Sequence, residues 1–353
     1  MMSESEITVD YQGSVAILTL NRPKALNALN HSMIKPIQDY LNQWAHDKNI
    51  AVVLFKGAGD RAFCAGGDIK SIYEARDTNP KLLKDFYSDE YKLNRTIHLY
   101  PKPFIALING ITMGGGAGLS IHGHFRVAGE KTIFAMPETS IGFFPDVGGG
   151  YFLPRLHGQI GMYLGLTGNK IGSADCYFAG LATHYINETK YENLIQELSH
   201  LSFKSRPRDV SEILSKFHQN PGQSKLNEDY AAINHHFGHS SVIDILNSLV
   251  SAQNDWAQQT YQTLFTKSPT SLELTFRQLR YGAKFDFDEV LKMEYRLSQY
   301  CMKQNDFFEG VRAILIDKDQ RPRWRPAALS SVAEELNIED AFLSLGDQDL
   351  IFN

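Results

Sequence analysis

Residues 108–154 read INGITMGGGAGLSIHGHFRVAGEKTIFAMPETSIGFFPDVGGGYFLP. Two glycine triplets, Gly114-Gly115-Gly116 and Gly148-Gly149-Gly150, stand around two carboxylates, Glu138 and Asp146. Glycine lets a backbone come close to a ligand where a side chain would collide. Carboxylates near exposed backbone N–H groups are the raw material of acyl-transfer and proton-transfer sites. The first triplet follows the apolar run Phe104–Ile108 and precedes Leu119-Ser120-Ile121. It can therefore open a helix whose unpaired N–H groups and dipole attract negative charge. Close helix packing accounts for the same glycines equally well.

Outward from this stretch, the chain reads as alternating short strands and helices. Ile7–Tyr11 and Val15–Asn21 are expected to form a hairpin through Gln12-Gly13-Ser14. Asn30 or Ser32 can cap a helix with Met33, Ile37, Tyr40, Leu41 and Trp44 on one face. Ala51–Phe55 is a buried-strand candidate and Lys81–Leu99 a helix. This alternation implies an α/β body with parallel pairing. Beyond about Asn187 the strand signals fade, and helices are expected over Tyr191–Leu201, Val242–Val250 and Trp256–Phe265. Ser268-Pro269 starts another helix, and Val290, Met293, Leu297 and Tyr300 mark a further amphipathic face. The expected organisation is an α/β core over 1–200 and a helical carboxyl region over 201–353.

Composition bounds the function. The 353 residues are 43% hydrophobic and 21% charged, enough apolar material for a substantial core. A net charge of -5 supplies no global field for nucleic acid, so an anionic ligand needs local basic residues. Three separated cysteines, Cys64, Cys176 and Cys301, suit a reducing compartment. The polar, acidic start MMSESEITVDYQGS resembles neither a secretory signal nor an Arg-rich transit peptide, and Leu350–Asn353 carries no lipidation or peroxisomal address. No apolar run approaches the roughly 20 residues that span a bilayer. The expectation is a cytoplasmic protein without membrane or nucleic-acid partners.

Several motifs fail on inspection. A dinucleotide fingerprint needs a third glycine where Leu119 or Ile121 stands, so NAD binding is not expected. Gly118-Leu119-Ser120-Ile121-His122 lacks the final glycine of a nucleophile elbow, and Ser120 reads as a buried helix serine. His122 and His124 lack further ligands at metal-binding spacing. Ala62–Ile69 is either a turn into a helix capped by Asp68 or a loop whose Gly67 N–H faces a developing oxyanion. Glu138, amid Met136, Ile141, Phe143 and Phe144, is a helix-start glutamate or a carboxyl whose apolar surroundings favour proton exchange near neutral pH. Asp146 reads as a helix cap by its position alone. Arg22, Lys24, Arg61, Lys70 and the basic segment Lys318–Arg325 are expected on solvated surface unless a phosphorylated ligand recruits them.

Together and in this order, Asn21–Leu29, Ala62–Ile69, Ile108–Gly118 and Pro137–Gly150 resemble the crotonase (enoyl-CoA hydratase/isomerase) superfamily. Within it the chain looks most like the 3-hydroxyisobutyryl-CoA hydrolase subfamily, through Phe144–Leu156, Ser268–Leu272, Met293–Gln299 and Glu309–Gln320. The likeness spans nearly the whole chain apart from a divergent region around Lys204–Asn254. It implies a crotonase-like (ClpP/crotonase) spiral of ββα units with a helical carboxyl region, acting on a CoA thioester. It assigns the carbonyl-holding N–H groups to Gly67 and Gly115, catalytic carboxylates to Glu138 and Asp146, and substrate binding to Glu90, Gly115, Glu138 and Asp146. CoA is expected along Lys24, Ala25, Leu26, Ala65, Gly66, Asp68 and Ile69. No metal and no cofactor beyond the CoA of the substrate is expected, and a homo-oligomer is a familiar state in the superfamily.

Hydratases of this kind usually carry a glutamate in the helix after the first triplet, where this chain has Gly118. They have glycine where this chain has Asp146. One carboxylate lost and another gained matches the hydrolase pattern. The resemblance therefore implies hydrolysis of a short 3-hydroxyacyl-CoA, chiefly 3-hydroxyisobutyryl-CoA in valine breakdown. Enoyl-CoA hydration or isomerisation, and a non-catalytic acyl-CoA-binding homologue, are the rival readings.

Overall fold

A computed structural model describes residues 5–352. Residues 1–4 and 353, on which the expectation about terminal targeting signals partly drew, lie outside the described residues. The chain forms two compact units, each gathered from three segments. The first comprises 1–68, 92–134 and 170–227, and the second comprises 69–91, 135–169 and 228–353. Residue 200, the boundary drawn from sequence, falls inside the first unit, because packing groups segments that pattern along the chain keeps apart.

The first unit holds a six-stranded sheet. Its members are β1 (Ile7–Gln12), β2 (Val15–Leu20), β3 (Val52–Gly57), β5 (Phe104–Leu107), β7 (Phe125–Ala128) and β10 (His184–Tyr185), hydrogen-bonded in that order. The β1–β2 hairpin is antiparallel, with Ile7 opposite Leu20, and every later pairing is parallel. All six residues of β2 are buried, as a continuous apolar run in a parallel layer requires. Val15, Ile17, Val52, Leu54, Ile105, Leu107 and Val127 build a core that extends to Leu194, Leu198, Val210 and Leu214 on the following helices. The helix His31–His46 starts where the sequence predicts, with Asn30 Oδ1 accepting from the Met33 N–H at 3.1 Å. It buries Met33, Ile34, Ile37, Leu41 and Trp44.

A second, smaller sheet was not legible in the sequence. It consists of β4 (Ala62–Cys64), β6 (Ile111–Met113), β8 (Ile133–Ala135) and β9 (Ile171–Gly172). Strands of two or three residues are too short to display an alternating pattern. β4 and β6 run parallel, with Cys64 opposite Thr112, so the loops leaving both strands emerge on the same side.

The second unit is helical, as the carboxyl part of the sequence predicts. Ser268 caps the helix Pro269–Gly282 by accepting from the Ser271 N–H at 3.1 Å. Asp286 and Glu289 form a reciprocal capping box at the start of the helix Phe287–Cys301. Among the described residues no helix is long and apolar enough to cross a membrane. All three cysteines are free and buried.

Candidate active site

In the first unit, the segment Arg22–Leu29 is folded around one buried side chain. Asn27 Oδ1 accepts from the Arg22 N–H, and its Nδ2 donates to the carbonyls of Ala58 and Ala62, each at 2.9 Å. Leu26 and Asn27 both take left-handed backbone conformations, φ 52° and 56°. The asparagine amide offsets that strain by satisfying three backbone groups. The Ala65 N–H donates to the Leu26 carbonyl at 3.0 Å, the Leu29 N–H to the Gly66 carbonyl at 2.8 Å, and the Asp68 N–H to the Leu29 carbonyl at 2.8 Å. Arg22 completes the clasp, donating to the Ala28 carbonyl at 2.7 Å and to Asp68 Oδ2 at 2.9 Å. Leu26, Ala65, Gly66 and Asp68 are thus brought together, while Lys24 and Ala25 lie exposed on a 3-10 turn. Ile69 begins the helix Ile69–Ala75, which belongs to the second unit.

The two bonds that strap this loop to Leu29 use the carbonyl before Gly67 and the N–H after it. The N–H of Gly67 itself takes no part in them. Gly115 is the first residue of a one-turn helix, Gly115–Gly118, where an N–H has no partner within the helix. These residues follow β4 and β6, so Gly67 and Gly115 stand on loops leaving adjacent parallel strands. A Cβ on Gly116 would sit 2.1 Å from the Cys64 carbonyl oxygen, which is why only glycine admits so close an approach of the two loops. Ser120 is buried as expected, in the turn that follows this helix rather than within it, and donates to the Gly116 carbonyl at 2.8 Å. His124 Nδ1 accepts from the Phe104 N–H at 3.4 Å.

In the second unit, one face of the helix Pro80–His98 presents Tyr87, Glu90 and Tyr91 at spacings of three and four. Glu138 opens the 3-10 turn Glu138–Ile141, and Asp146 lies on the loop before the turn Gly149–Phe152. Glu90, Glu138 and Asp146 are 2%, 6% and 6% exposed. Asp146 does not use its carboxylate as a helix cap: Oδ2 accepts from the Tyr91 hydroxyl at 2.9 Å, and the cap position is Gly148. The rings of Phe143 and Tyr87 stack at 5.4 Å, and Phe144 and Phe307 pack on Phe143 at 4.5 and 5.4 Å.

A fourth carboxylate, not singled out from sequence, organises the Asp146 loop. Glu294 is fully buried, and its Oε2 and Oε1 accept from the N–H groups of Gly148 and Gly150 at 2.7 and 2.8 Å. Gln278 Nε2 donates both to Glu294 Oε1 at 3.0 Å and to the Pro145 carbonyl at 2.7 Å. Between these anchors Val147 and Gly148 are left-handed, φ 51° and 83°. That conformation is costly for a β-branched valine and persists where surrounding bonds over-determine it. A sequence signal existed: Glu294 falls within the apolar face of Val290, Met293 and Leu297, where an unpaired charge is anomalous.

The electrostatics follow from burial without cations. None of the four carboxylates forms an ion pair among the described residues. Burial pushes Asp146 up to about 7, against the opposing hydrogen bonds from Tyr91 and its own backbone. Burial likewise raises Glu294 to about 8, opposed by the glycine N–H groups. Glu138 is held well above the usual carboxylate range by burial and then by the charge of Asp146, and Glu90 by the same two causes in the same order. The arrangement can store protons near neutral pH and pass them to a bound group. Among the described residues no three His, Cys, Asp or Glu side chains gather into a metal-holding group.

The family model described as enoyl-CoA hydratase/isomerase matches residues 15–342. A Xenopus laevis protein named 3-hydroxyisobutyryl-CoA hydrolase, mitochondrial, is 50% identical over 343 residues, 96% of this chain and 89% of the relative. Two solved structures superpose at a TM-score of 0.90. One is a carnitinyl-CoA dehydratase from Mycobacterium thermoresistibile, 35% identical and covering 99% of both chains. The other is an enoyl-CoA hydratase from Rhodobacter sphaeroides, 34% identical and covering 99% of this chain and 100% of its own.

Proposed function

The chain belongs to the enoyl-CoA hydratase/isomerase family, and from that premise we propose that it hydrolyses a short 3-hydroxyacyl-CoA, principally 3-hydroxyisobutyryl-CoA, to the free 3-hydroxy acid and CoA in valine catabolism. The observation that carries this reading is the carboxylate arrangement: Asp146 held by Tyr91 in a buried set with Glu138 and Glu90, together with Gly118 where a hydratase needs its second glutamate. The hydrolase name of the 50%-identical relative supports it. The two structures bearing dehydratase and hydratase titles are less similar in sequence, at 35% and 34%.

In the proposed reaction, the N–H groups of Gly67 and Gly115 hold the thioester carbonyl as negative charge develops on its oxygen. Glu138 attacks that carbonyl or activates water, and Asp146 positions or deprotonates water or binds the substrate hydroxyl. Glu90 binds the acyl portion. Lys24, Ala25, Leu26, Ala65, Gly66, Asp68 and Ile69 receive the CoA. The reaction calls for no metal and no cofactor beyond the CoA of the substrate.

Release of free thiol from 3-hydroxyisobutyryl-CoA, followed with a thiol reagent, tests the activity. Thiol release at a rate far above the uncatalysed reaction supports it; turnover of crotonyl-CoA with none of the saturated thioester overturns it in favour of hydration. Single turnover in oxygen-18 water probes the role of Glu138: label in the protein means a covalent anhydride, and label only in the product argues against an anhydride opened at the Glu138 carboxyl carbon.

The cytoplasmic placement expected from the terminal segments and the lack of a long apolar run stands against the mitochondrial name of the relative. Fractionation of cells expressing the full chain decides between the compartments. A homo-oligomer is part of the same reading, and sedimentation velocity measures it.

A further inference from the structure

The acyl-binding end assigned above has more unpartnered polar atoms than one hydroxyl can satisfy. Glu294 spends both oxygens on Gly148, Gly150 and Gln278, and Asp146 engages Tyr91. Three other polar atoms find no partner within the protein: Glu90 Oε1, Glu138 Oε2 and the Tyr87 hydroxyl. All three residues are more than nine-tenths buried, and Tyr87 feels the charges of Asp146, Glu90 and Glu138. An alcohol group donates one hydrogen and can fill one such acceptor, whereas an ammonium donates three.

Charge points the same way as hydrogen-bond count. The set contains four carboxyl groups and no paired cation, and burial favours their protonated forms, so a cation is the entering group that would let them ionise. A cation there would restore the ionised form of the neighbouring carboxylates and regain in pairing what it loses in hydration. An anion would oppose that ionisation, carries its own charge into a dry site, and meets no paired cation there.

We propose, resting on the thioesterase reading, that this site selects acyl chains by the charge at the 3-position, accepting a 3-ammonio group alongside the 3-hydroxyl and rejecting a carboxylate. The enzyme is thereby also a hydrolase of short 3-aminoacyl-CoA thioesters. The chemistry is unchanged and balances: a water oxygen forms the new bond to the acyl carbon, the C–S bond breaks, and CoA leaves as thiol with a proton from that water. The ammonium takes no part in the bond changes and serves as the recognised group.

Three thioesters with matched three-carbon acyl groups make the test: 3-hydroxypropionyl-CoA, 3-aminopropionyl-CoA and malonyl-CoA, assayed by thiol release at pH 7 with the uncatalysed rate subtracted. The expected kcat/KM for the amino compound lies within about tenfold of the hydroxy compound, and that for malonyl-CoA at least about 100-fold below both. Malonyl-CoA turned over as well as the amino compound, or the amino compound at the malonyl level, overturns the proposal. Calorimetric titration of non-hydrolysable thioether analogues of the same three ligands into the parent enzyme gives their order of binding without turnover. An enzyme that binds in the expected order and hydrolyses none of them fails as a thioesterase and keeps its charge selection; hydrolysis of the hydroxy compound with no preference among the others does the reverse. Glu90→Gln adds a check on the cause, since it should shrink the ratio of amino to malonyl rates by about tenfold. Equal loss on all three substrates would make Glu90 a structural support and overturn its part in selection.

Discussion

Glu138 and Asp146 illustrate how a carboxyl group acquires chemistry from its neighbours. Each is buried with aromatic and carboxyl company, and each is raised above its ordinary range chiefly by loss of water. Glu138→Gln preserves volume and removes the base or nucleophile, so turnover is expected to fall by about 10²–10⁴ with CoA binding retained. Near-parental turnover in a folded variant would remove Glu138 from the mechanism. The Tyr91 hydroxyl is the one side-chain group that lowers Asp146, which burial lifts to about 7. Tyr91→Phe deletes that bond and raises Asp146 further. If Asp146 acts as a base, the acid limb of the kcat/KM profile moves to higher pH in this variant; an unmoved limb means that another group sets it. Glu90 was legible only through family resemblance, since in isolation Asp89-Glu90-Tyr91 reads as a solvent-facing stretch of helix. Burial of Glu90 is a property of what packs on that face.

At the scale of elements, strands and capped helices were readable because their signals are local. Asn30, Ser268 and Asp286 each accept from an N–H three residues on, as N-caps do. The loop carrying Asp146 was readable only as a turn. Its conformation depends on Glu294, 146 residues after Gly148, and on Gln278, 133 after Pro145. Glu294→Gln keeps one acceptor but sets an amide NH2 against the other glycine N–H. Above pH 8, where Glu294 is ionised, it should cost about 1.5–3 kcal/mol in stability, measurable by chemical denaturation, as a charge-assisted buried bond is lost. It should also lower kcat more than it raises KM, because the displaced group is Asp146. Equal stability in parent and variant would show that the loop holds its left-handed turn unaided.

For the molecule as a whole, burying carboxyls without counter-cations links stability to pH in a defined sense. Asp146 titrates at about 7 in the fold, against about 4 in an unfolded chain. Between those values the folded state retains a proton that the unfolded state has released, so this group's contribution to stability falls as pH rises and is fully lost above about 7. Asp146→Asn removes this group's share of the dependence. The variant should melt above the parent at pH 8, with the gap closing toward pH 5, while its thioesterase activity is reduced. A constant gap would mean that the ionised carboxylate carries no cost in the fold. The expected pattern is a site held at the expense of stability.

The sequence by itself determined the α/β-then-helical order and the two glycine segments, because backbone periodicity, caps and motif order are local properties of a chain, and its likeness to the family that the family model also matches is what nominated Glu138 and Asp146. It also showed that Gly118 cannot do the work of a glutamate. Tertiary structure alone decided that Glu90, Glu138 and Asp146 share one dry cluster, that Tyr91 holds Asp146, that Glu294 ties down its loop, and that short strands from distant segments set Gly67 and Gly115 on adjacent loops. Those facts depend on which faces are stripped of water together, and loss of hydration is a property of packing that spacing along a chain does not encode.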